Sequence, residues 1–494
     1  MKRAFLACAV AVLVAVSGCG SVAGTGAGTI DPATLAPPGA LAYATFQVAP
    51  QGPEKANFDA AFSKLLGADP ETKLGQAFTK AAQTSGKLDY QADVKPWLGD
   101  SISVVVTRVG LHDGDFAMLV ASTDDAKAQA AIDKDLAGVH TDSRSYRDVS
   151  YEVLDDGTVN GIVSHFLVAG TEPAFKAVVD ASKDGNSLAG SDQWKKTVGD
   201  RANGKVGLAY VDAKGLLQSL ASNLPGMQRV TTPLLLGLLQ LHPFVATLDA
   251  KPDSLVVDAS SPGTPADPRG PGAASSPLIE SLPTGSWLAA AMPDVGQALG
   301  TIAGALQANP LIGGTYAHVV DQIRARTGLD LDKDVLAAVG DVGVYVQGTT
   351  LRTVRGGAVI ESPKPATLAR TLRRVPALIN RNADGHVVAA ARVGGFDVKG
   401  RRMAHPFQVR RAPHMSGKLG QTDLFKKAAA AIGERPTLFV DFAKALALAA
   451  RSPHHSSDAD FKQALPRLRR IEFVAAGARR DGGLDVLRGV LGLR

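Results

Sequence analysis

Leu88-Asp89-Tyr90-Gln91-Ala92-Asp93-Val94-Lys95-Pro96-Trp97-Leu98-Gly99-Asp100 recurs in altered form as Leu329-Asp330-Leu331-Asp332-Lys333-Asp334-Val335-Leu336-Ala337-Ala338-Val339-Gly340-Asp341, with six identical positions and no gap. The register continues outward: residues 101–106 fall on 342–347, 116–119 on 357–360, and both stretches run into alanine-rich segments of helical spacing at 126–136 and 366–378. Upstream, Pro38-Gly39-Ala40-Leu41-Ala42-Tyr43-Ala44 resembles Pro283-Thr284-Gly285-Ser286-Trp287-Leu288-Ala289-Ala290. Downstream, Asp192-Gln193-Trp194-Lys195-Lys196 resembles Asp423-Leu424-Phe425-Lys426-Lys427, and 208–212 resembles 438–441 after a small gap. Landmarks matched in one order over this length mark an internal repeat. The chain therefore reads as two tandem copies of one α+β unit.

Runs rich in β-branched residues at 102–106, 117–121, 159–168 and 206–211 read as strands. Helices are expected at 123–136, 172–182, 191–200 and 213–220, two of them opened by Thr123-Asp124-Asp125 and Thr171-Glu172-Pro173, which put capping and acidic groups at helix starts. Neighbouring long strands with helices irregularly interspersed favour a largely antiparallel sheet with packed helices in each copy. Gly99 and Gly340 are expected to supply a conformation other residues resist, and Asp100 and Asp341 a turn hydrogen bond. The repeated carboxylates Asp89, Asp93, Asp100, Asp330, Asp332, Asp334 and Asp341 follow no calcium-loop pattern and fit caps and turns better.

Between the copies lies Ser260-Ser261-Pro262-Gly263-Thr264-Pro265-Ala266-Asp267-Pro268-Arg269-Gly270-Pro271-Gly272, whose prolines remove donors and whose glycines add chain entropy. We place a first copy at 37–262, a linker at 263–276 and a second copy at 277–494. A single intertwined body with this stretch as a surface loop is the alternative.

The N-terminus carries a different kind of information. Lys2 and Arg3 precede an apolar run at 4–16, too short to span a bilayer, and Val16-Ser17-Gly18-Cys19 follows. This arrangement resembles a bacterial lipobox. Residues 1–18 then form a lipoprotein signal peptide, and Cys19 is the site of lipid attachment and the first mature residue. An ordinary cleaved signal with an incidental cysteine is the alternative. Residues 19–36 read as a flexible tether, with a root-mean-square span of roughly 20–25 Å to Pro37. Cys8 is lost on cleavage, so the mature chain holds no cysteine pair.

Searches for chemistry return little. His405, His414, His454 and His455, with Asp458 or Asp460, lack metal-ligand spacing, and Ser452-Pro453-His454-His455-Ser456-Ser457 reads as an exposed loop. No Gly-x-Ser-x-Gly elbow occurs, and neither Asn203-Gly204-Lys205 nor Ser416-Gly417-Lys418 has the preceding glycine of a phosphate cradle. No catalytic, metal or cofactor-binding residue is expected. Charge is uneven: about 31 basic and 19 acidic residues lie from Thr264 onward, with arginines clustered at 401–402, 410–411, 467–470 and 479–480. Such groups suit an anionic lipid or wall polymer, or simply keep the protein solvated. Export and the lack of interleaved aromatics argue against nucleic acid.

The lipobox, the Pro-x-Gly opening strand, Val94-Lys95-Pro96-Trp97-Leu98-Gly99-Asp100 and Phe166-Leu167-Val168-Ala169-Gly170-Thr171 together resemble a family of secreted envelope lipoproteins of high-GC Gram-positive bacteria, known only as a domain of unknown function. The resemblance implies localisation on the extracytoplasmic face of the cell membrane but no activity, substrate or site. The second copy departs from it at Ala338, where the first has Trp97. The expectation is a non-enzymatic envelope protein that binds another protein, an anionic polymer or lipid. The alternative is a carrier of a hydrophobic ligand, motivated by apolar segments such as 231–241 and by few aromatic residues to close a core.

Overall fold

The structure, a computed structural model, describes residues 30–50, 52–73, 75–76, 88–110, 113–222, 241–262, 275–308, 313–350, 353–368, 370–371, 417–451, 458–481 and 483–494. The signal peptide, Cys19, nearly all of the 263–276 linker, the four C-terminal histidines, the apolar run before Leu241 and the arginines at 401–402 and 410–411 lie outside these residues. The chain divides into two compact units. One comprises 1–272 with 479–488 and Leu493; the other comprises 273–478 with 489–492 and Arg494. Both are mixed α+β with antiparallel sheet.

The first unit opens at Asp31, whose carboxylate accepts the Ala33 amide at 2.9 Å and starts a short 3-10 turn over Pro32–Thr34. Ala33, Leu35 and Ala36 are buried, and the Ala36 carbonyl accepts from Leu188 at 2.7 Å. The tether read as running to residue 36 is therefore core over its last residues. Its small side chains pack where a composition reading sees only flexibility.

Strand β1 (Ala42–Gln47) alternates half-buried and buried positions. It lies between β2 (Leu98–Val109) and β8 (Gly207–Val211), with Thr45 opposite both Ser103 and Leu208. β3 (Gly114–Ser122), β4 (Thr141–Tyr146), β5 (Val149–Leu154), β6 (Thr158–Val163), β7 (Phe166–Thr171), β9 (Phe244–Lys251) and β10 (Ser254–Pro262) complete the order β10-β9-β8-β1-β2-β3-β7-β6-β5-β4. The run at 159–168 is thus two strands rather than one. Ser164 and His165 turn between them with φ of 48° and 64°, the two-residue hairpin geometry that matches strand twist. No glycine or asparagine marks the turn. Contacts from elsewhere hold it instead: His165 Nδ1 lies 2.8 Å from an Asp125 carboxylate oxygen, and the Ser164 and Ser182 hydroxyls are 2.7 Å apart.

Alternate residues of this sheet serve two cores, as a period of two requires. Helix α1 (Gly52–Leu66) stacks Phe58 and Phe62 on Phe46. Helix α2 (Asp125–Leu136), capped by Asp124, buries Ala128, Ala131 and Ile132 with Trp97, Met118, Val120 and Leu167. On the other face α3 (Glu172–Asp184), closed by Gly185 at φ 66°, buries Phe175, Val178 and Val179. The short α4 (Asp192–Thr197) lays Trp194 against Tyr43 and Tyr210, with ring centroids 5.4 and 5.5 Å away. Few aromatics thus suffice to close this core, which removes one motive for a carrier. α5 (Ala213–Ser222) follows β8 and is capped by Asp212, which accepts the Gly215 amide at 3.0 Å.

The second unit runs α6 (Leu278–Ser281), β11 (Ser286–Met292), α7 (Val295–Ala308), α8 (Gly313–Thr327), β12 (Val342–Gln347), β13 (Arg355–Ile360), α9 (Asp423–Ile432), β14 (Leu438–Asp441), α10 (Phe442–Ala450), α11 (Ala459–Leu468) and β15 (Ile471–Asp481) as far as residue 478, with 489–492 of β16 (Leu484–Leu493). Its strand order β13-β12-β11-β14-β15 has the same sequence logic as β3-β2-β1-β8-β9. Phe425 on α9 meets Phe439 on β14 at 5.3 Å, in the places of Trp194 and Tyr210. Asp441 accepts the Lys444 amide at 3.1 Å, as Asp212 caps α5. Residues 479–488 belong to the first unit, where Arg488 grips Asp258 of β10 through two bonds of 2.7 and 2.6 Å.

Candidate functional site

The repeated stretch, 88–100 and 329–341, contains in each unit a single wide π-type turn, 90–94 and 331–335. Asp89 accepts the Ala92 amide at 2.8 Å while Asp93 reaches back to the Asp89 amide at 2.7 Å. Asp330 accepts the amides of Asp332 and Lys333 at 3.1 Å each, and Asp334 accepts that of Asp330 at 2.9 Å. These reciprocal bonds are a capping box built from two carboxylates. Their amide partners hold Asp93 and Asp330 below the usual carboxylate range, helped by ion pairs to Lys134 and Arg324. Asp89, Asp93, Asp330 and Asp334 are therefore committed to backbone structure. Trp97, buried, donates its indole N–H to the Asp93 carbonyl at 2.7 Å, a bond Ala338 cannot make.

Gly99 and Gly340 are required for a reason other than the one expected. Neither has a positive φ. A Cβ on Gly99 would sit 2.7 Å from the Ala121 Cβ, and one on Gly340 2.7 Å from the Glu361 carbonyl oxygen, so a neighbouring strand excludes a side chain. The Asp341 carboxylate is held by distant partners rather than by a turn of its own, accepting from the Ser276 hydroxyl at 2.5 Å and the Asp294 amide at 3.1 Å. At Asp100 it is the backbone carbonyl that accepts, from Val48 and Ala49. Of the other residues named from the sequence, Asp458 caps α11 through the Asp460 and Phe461 amides. Phe166–Thr171 is strand β7, buried through Gly170. Thr171 begins α3 without a side-chain cap bond.

The surface that stands out is in the second unit. Asp294, at φ 45°, turns the chain from β11 into α7, and Val295 donates to the Gly340 carbonyl at 3.0 Å. The helix start is pressed onto 336–340 so closely that a Cβ on Gly296 would lie 2.0 Å from the Leu336 oxygen. Beyond that contact the helix leaves the core. Gly296 is its only buried residue, while Leu299 and Ile302 are 48% and 56% exposed. Val295, Leu299, Ile302 and Leu306 share one helical face, the stripe a globular helix ordinarily buries. On α8, Val319 and Ile323 are exposed at 47% and 36%. No Asp, Glu, Lys or Arg occurs between Asp294 and Asp321. Arg324 pairs with Asp330, tying α8 to the π-type turn.

A cleft of about 440 Å³ opens where α7 meets that turn, lined by Asp294, Gln297 and Gly300 on one side and by Asp332, Leu336 and Pro363 on the other. Its lining mixes Leu336, Val339 and Pro363 with Asp294, Gln297 and Asp332. Among the described residues no cluster of metal-ligating side chains occurs, and no helix is long and apolar enough to cross a membrane. The charge-free interval from Val295 to Val320 is the sequence signal of this apolar helix pair.

These features define a two-unit, mixed α+β protein with antiparallel sheets and an exposed apolar helix pair. The chain belongs to the DUF3352 family of proteins of unknown function, whose model matches residues 4–383. No curated protein matches it. Similar solved structures include crystal forms I and IV of TP0453, 12% and 13% identical with TM-scores of 0.28 and 0.27. They cover 49% and 48% of this chain and 81% and 82% of the other.

Proposed function

We propose that this protein is a bacterial lipoprotein, acylated on Cys19 and held at the extracytoplasmic face of the cell membrane, whose body binds envelope partners and catalyses no reaction. The observation that carries the reading is Val16-Ser17-Gly18-Cys19 behind a charged start and a short apolar run. Two acyl chains on one cysteine suffice for stable anchoring, since each buried methylene contributes about 0.8 kcal/mol. A binding role is supported by the commitment of Asp89, Asp93, Asp330 and Asp334 to caps and by the exposure of Leu299 and Ile302. The shared strand order and the paired caps at Asp212 and Asp441 support descent of both units from one duplicated element.

The test is metabolic labelling with palmitate in the native host, with mass spectrometry of the mature N-terminal peptide. A lipid-bearing peptide beginning at Cys19, absent from Cys19→Ser, is expected. A mature chain beginning elsewhere without lipid overturns the anchor. A second reading, carriage of a hydrophobic molecule, is motivated by Leu336, Val339 and Pro363 in the cleft beside α7. Native mass spectrometry of the host-purified protein decides it: added lipid-sized mass that is lost on denaturation supports carriage, and a bare mass rejects it.

A further inference from the structure

We propose that α7 and α8 lie on the membrane surface with Leu299, Ile302, Val319 and Ile323 in its acyl region, a second attachment that rests on the anchoring reading above for its permanent supply of membrane. In the first unit the helix after the opening strand, α1, covers its strand with Phe58 and Phe62. Its counterpart α7 has no aromatic residue and buries only Gly296. The uncovered stripe is therefore specific to the second unit.

The chemistry of the stripe selects lipid over protein. Specific protein interfaces use about one hydrogen bond per 100–200 Å² and a polar rim around their apolar core. α7 has no charged side chain, and its Thr301 hydroxyl is spent on the Gln297 carbonyl of its own helix. It offers apolar area with little directional recognition, which acyl chains accept and a protein partner does not need. A charge at the centre of a bilayer helix costs about 2.5–3.5 kcal/mol on insertion scales, and none interrupts the interval from Val295 to Val320, which holds Leu299, Ile302 and Val319; Ile323 follows it, between Asp321 and Arg324, where α8 meets the edge of the apolar layer. Length fixes the pose: helices of 14 and 15 residues are about 21–22 Å long, short of a hydrocarbon core of about 30 Å. They lie in the interface rather than cross it. Small side chains point the same way, since Cβ atoms on Gly300 and Gly304 would meet nothing within 4 Å. An anchored chain also holds any such surface at high effective lipid concentration, so modest intrinsic affinity suffices.

The test uses the chain from Gly20 to Arg494, which keeps every described residue, lacks Cys19 and contains no cysteine. Ile302→Cys is labelled with an environment-sensitive fluorophore and mixed with phosphatidylcholine vesicles at low salt and at 1 M NaCl. A blue shift at both salt concentrations is expected, with none from label at Asp155→Cys, an exposed position in the first unit. Leu299→Asp with Ile302→Asp, both at exposed positions, should lower vesicle co-sedimentation about tenfold or more while circular dichroism stays unchanged. No shift overturns the proposal. Binding abolished by salt overturns it in favour of the arginine clusters, and self-association lost in the double variant without a change in vesicle binding overturns it in favour of a second copy. Because Cys19 is absent, these outcomes are independent of acylation, which the peptide mass tests separately.

Discussion

Gly296 and Gly300, one helical turn apart on α7, should respond oppositely to the same substitution. Gly296→Ala forces a methyl into the Leu336 and Val339 carbonyl oxygens, which overpacking data put at about 1–3 kcal/mol of destabilisation. Gly300→Ala meets open space and gains up to about 1 kcal/mol of helix propensity. Thermal melts of the two variants check this: a lowered Tm for the first beside an unchanged or raised Tm for the second. The pairing was invisible in the sequence, where both are glycines at equivalent spacing in a small-residue helix. Only the approach of a second backbone tells them apart. The same holds for Gly99, whose requirement was legible but whose cause, contact with Ala121 rather than a special φ, was not.

At the level of elements the two π-type turns predict a pH response. Asp93 and Asp330 titrate below the ordinary carboxylate value in the folded protein. Each therefore contributes stability that is present above its unfolded pKa of about 3.9 and is lost as pH falls through its folded value. Tm measured from pH 6 to pH 2 should decline over that acidic window, and Asp93→Asn with Asp330→Asn should flatten the decline. An unchanged slope would place the acid sensitivity elsewhere. Buried tyrosines work at the other extreme: desolvation, with the Asp212 charge, pushes the Tyr210 phenol up to about 12. Its ionisation belongs to alkaline unfolding. The capping role of Asp89 and Asp330 was readable from spacing, because a cap is a local bond. The hairpin at Ser164-His165 was not, because side chains of α2 and α3 stabilise it.

For the whole molecule, the return of residues 479–488 to the first unit makes that unit depend on the far end of the chain. Arg488 and Asp258 are about four-fifths buried and bonded through two nitrogens. Arg488→Ala leaves Asp258 with Arg479 at 3.8 Å as its remaining arginine and should cost about 1–3 kcal/mol. Calorimetry should show a lowered transition, and Arg488→Lys should restore it only in part because lysine cannot reproduce the fork.

By itself the sequence determined what local chemistry determines: antiparallel strands from β-branched runs, the helix start at Asp124, and the paired turns around Asp89 and Asp330. These depend on backbone geometry and on bonds a few residues long. Tertiary structure alone decided that Leu35 and Ala36 are core, that 159–168 is a hairpin, that Arg488 serves the first unit, and that the stripe on α7 faces outward. Burial is set by what the rest of the chain brings to a surface. An apolar stripe of one spacing reads the same whether Phe58 covers it or nothing does.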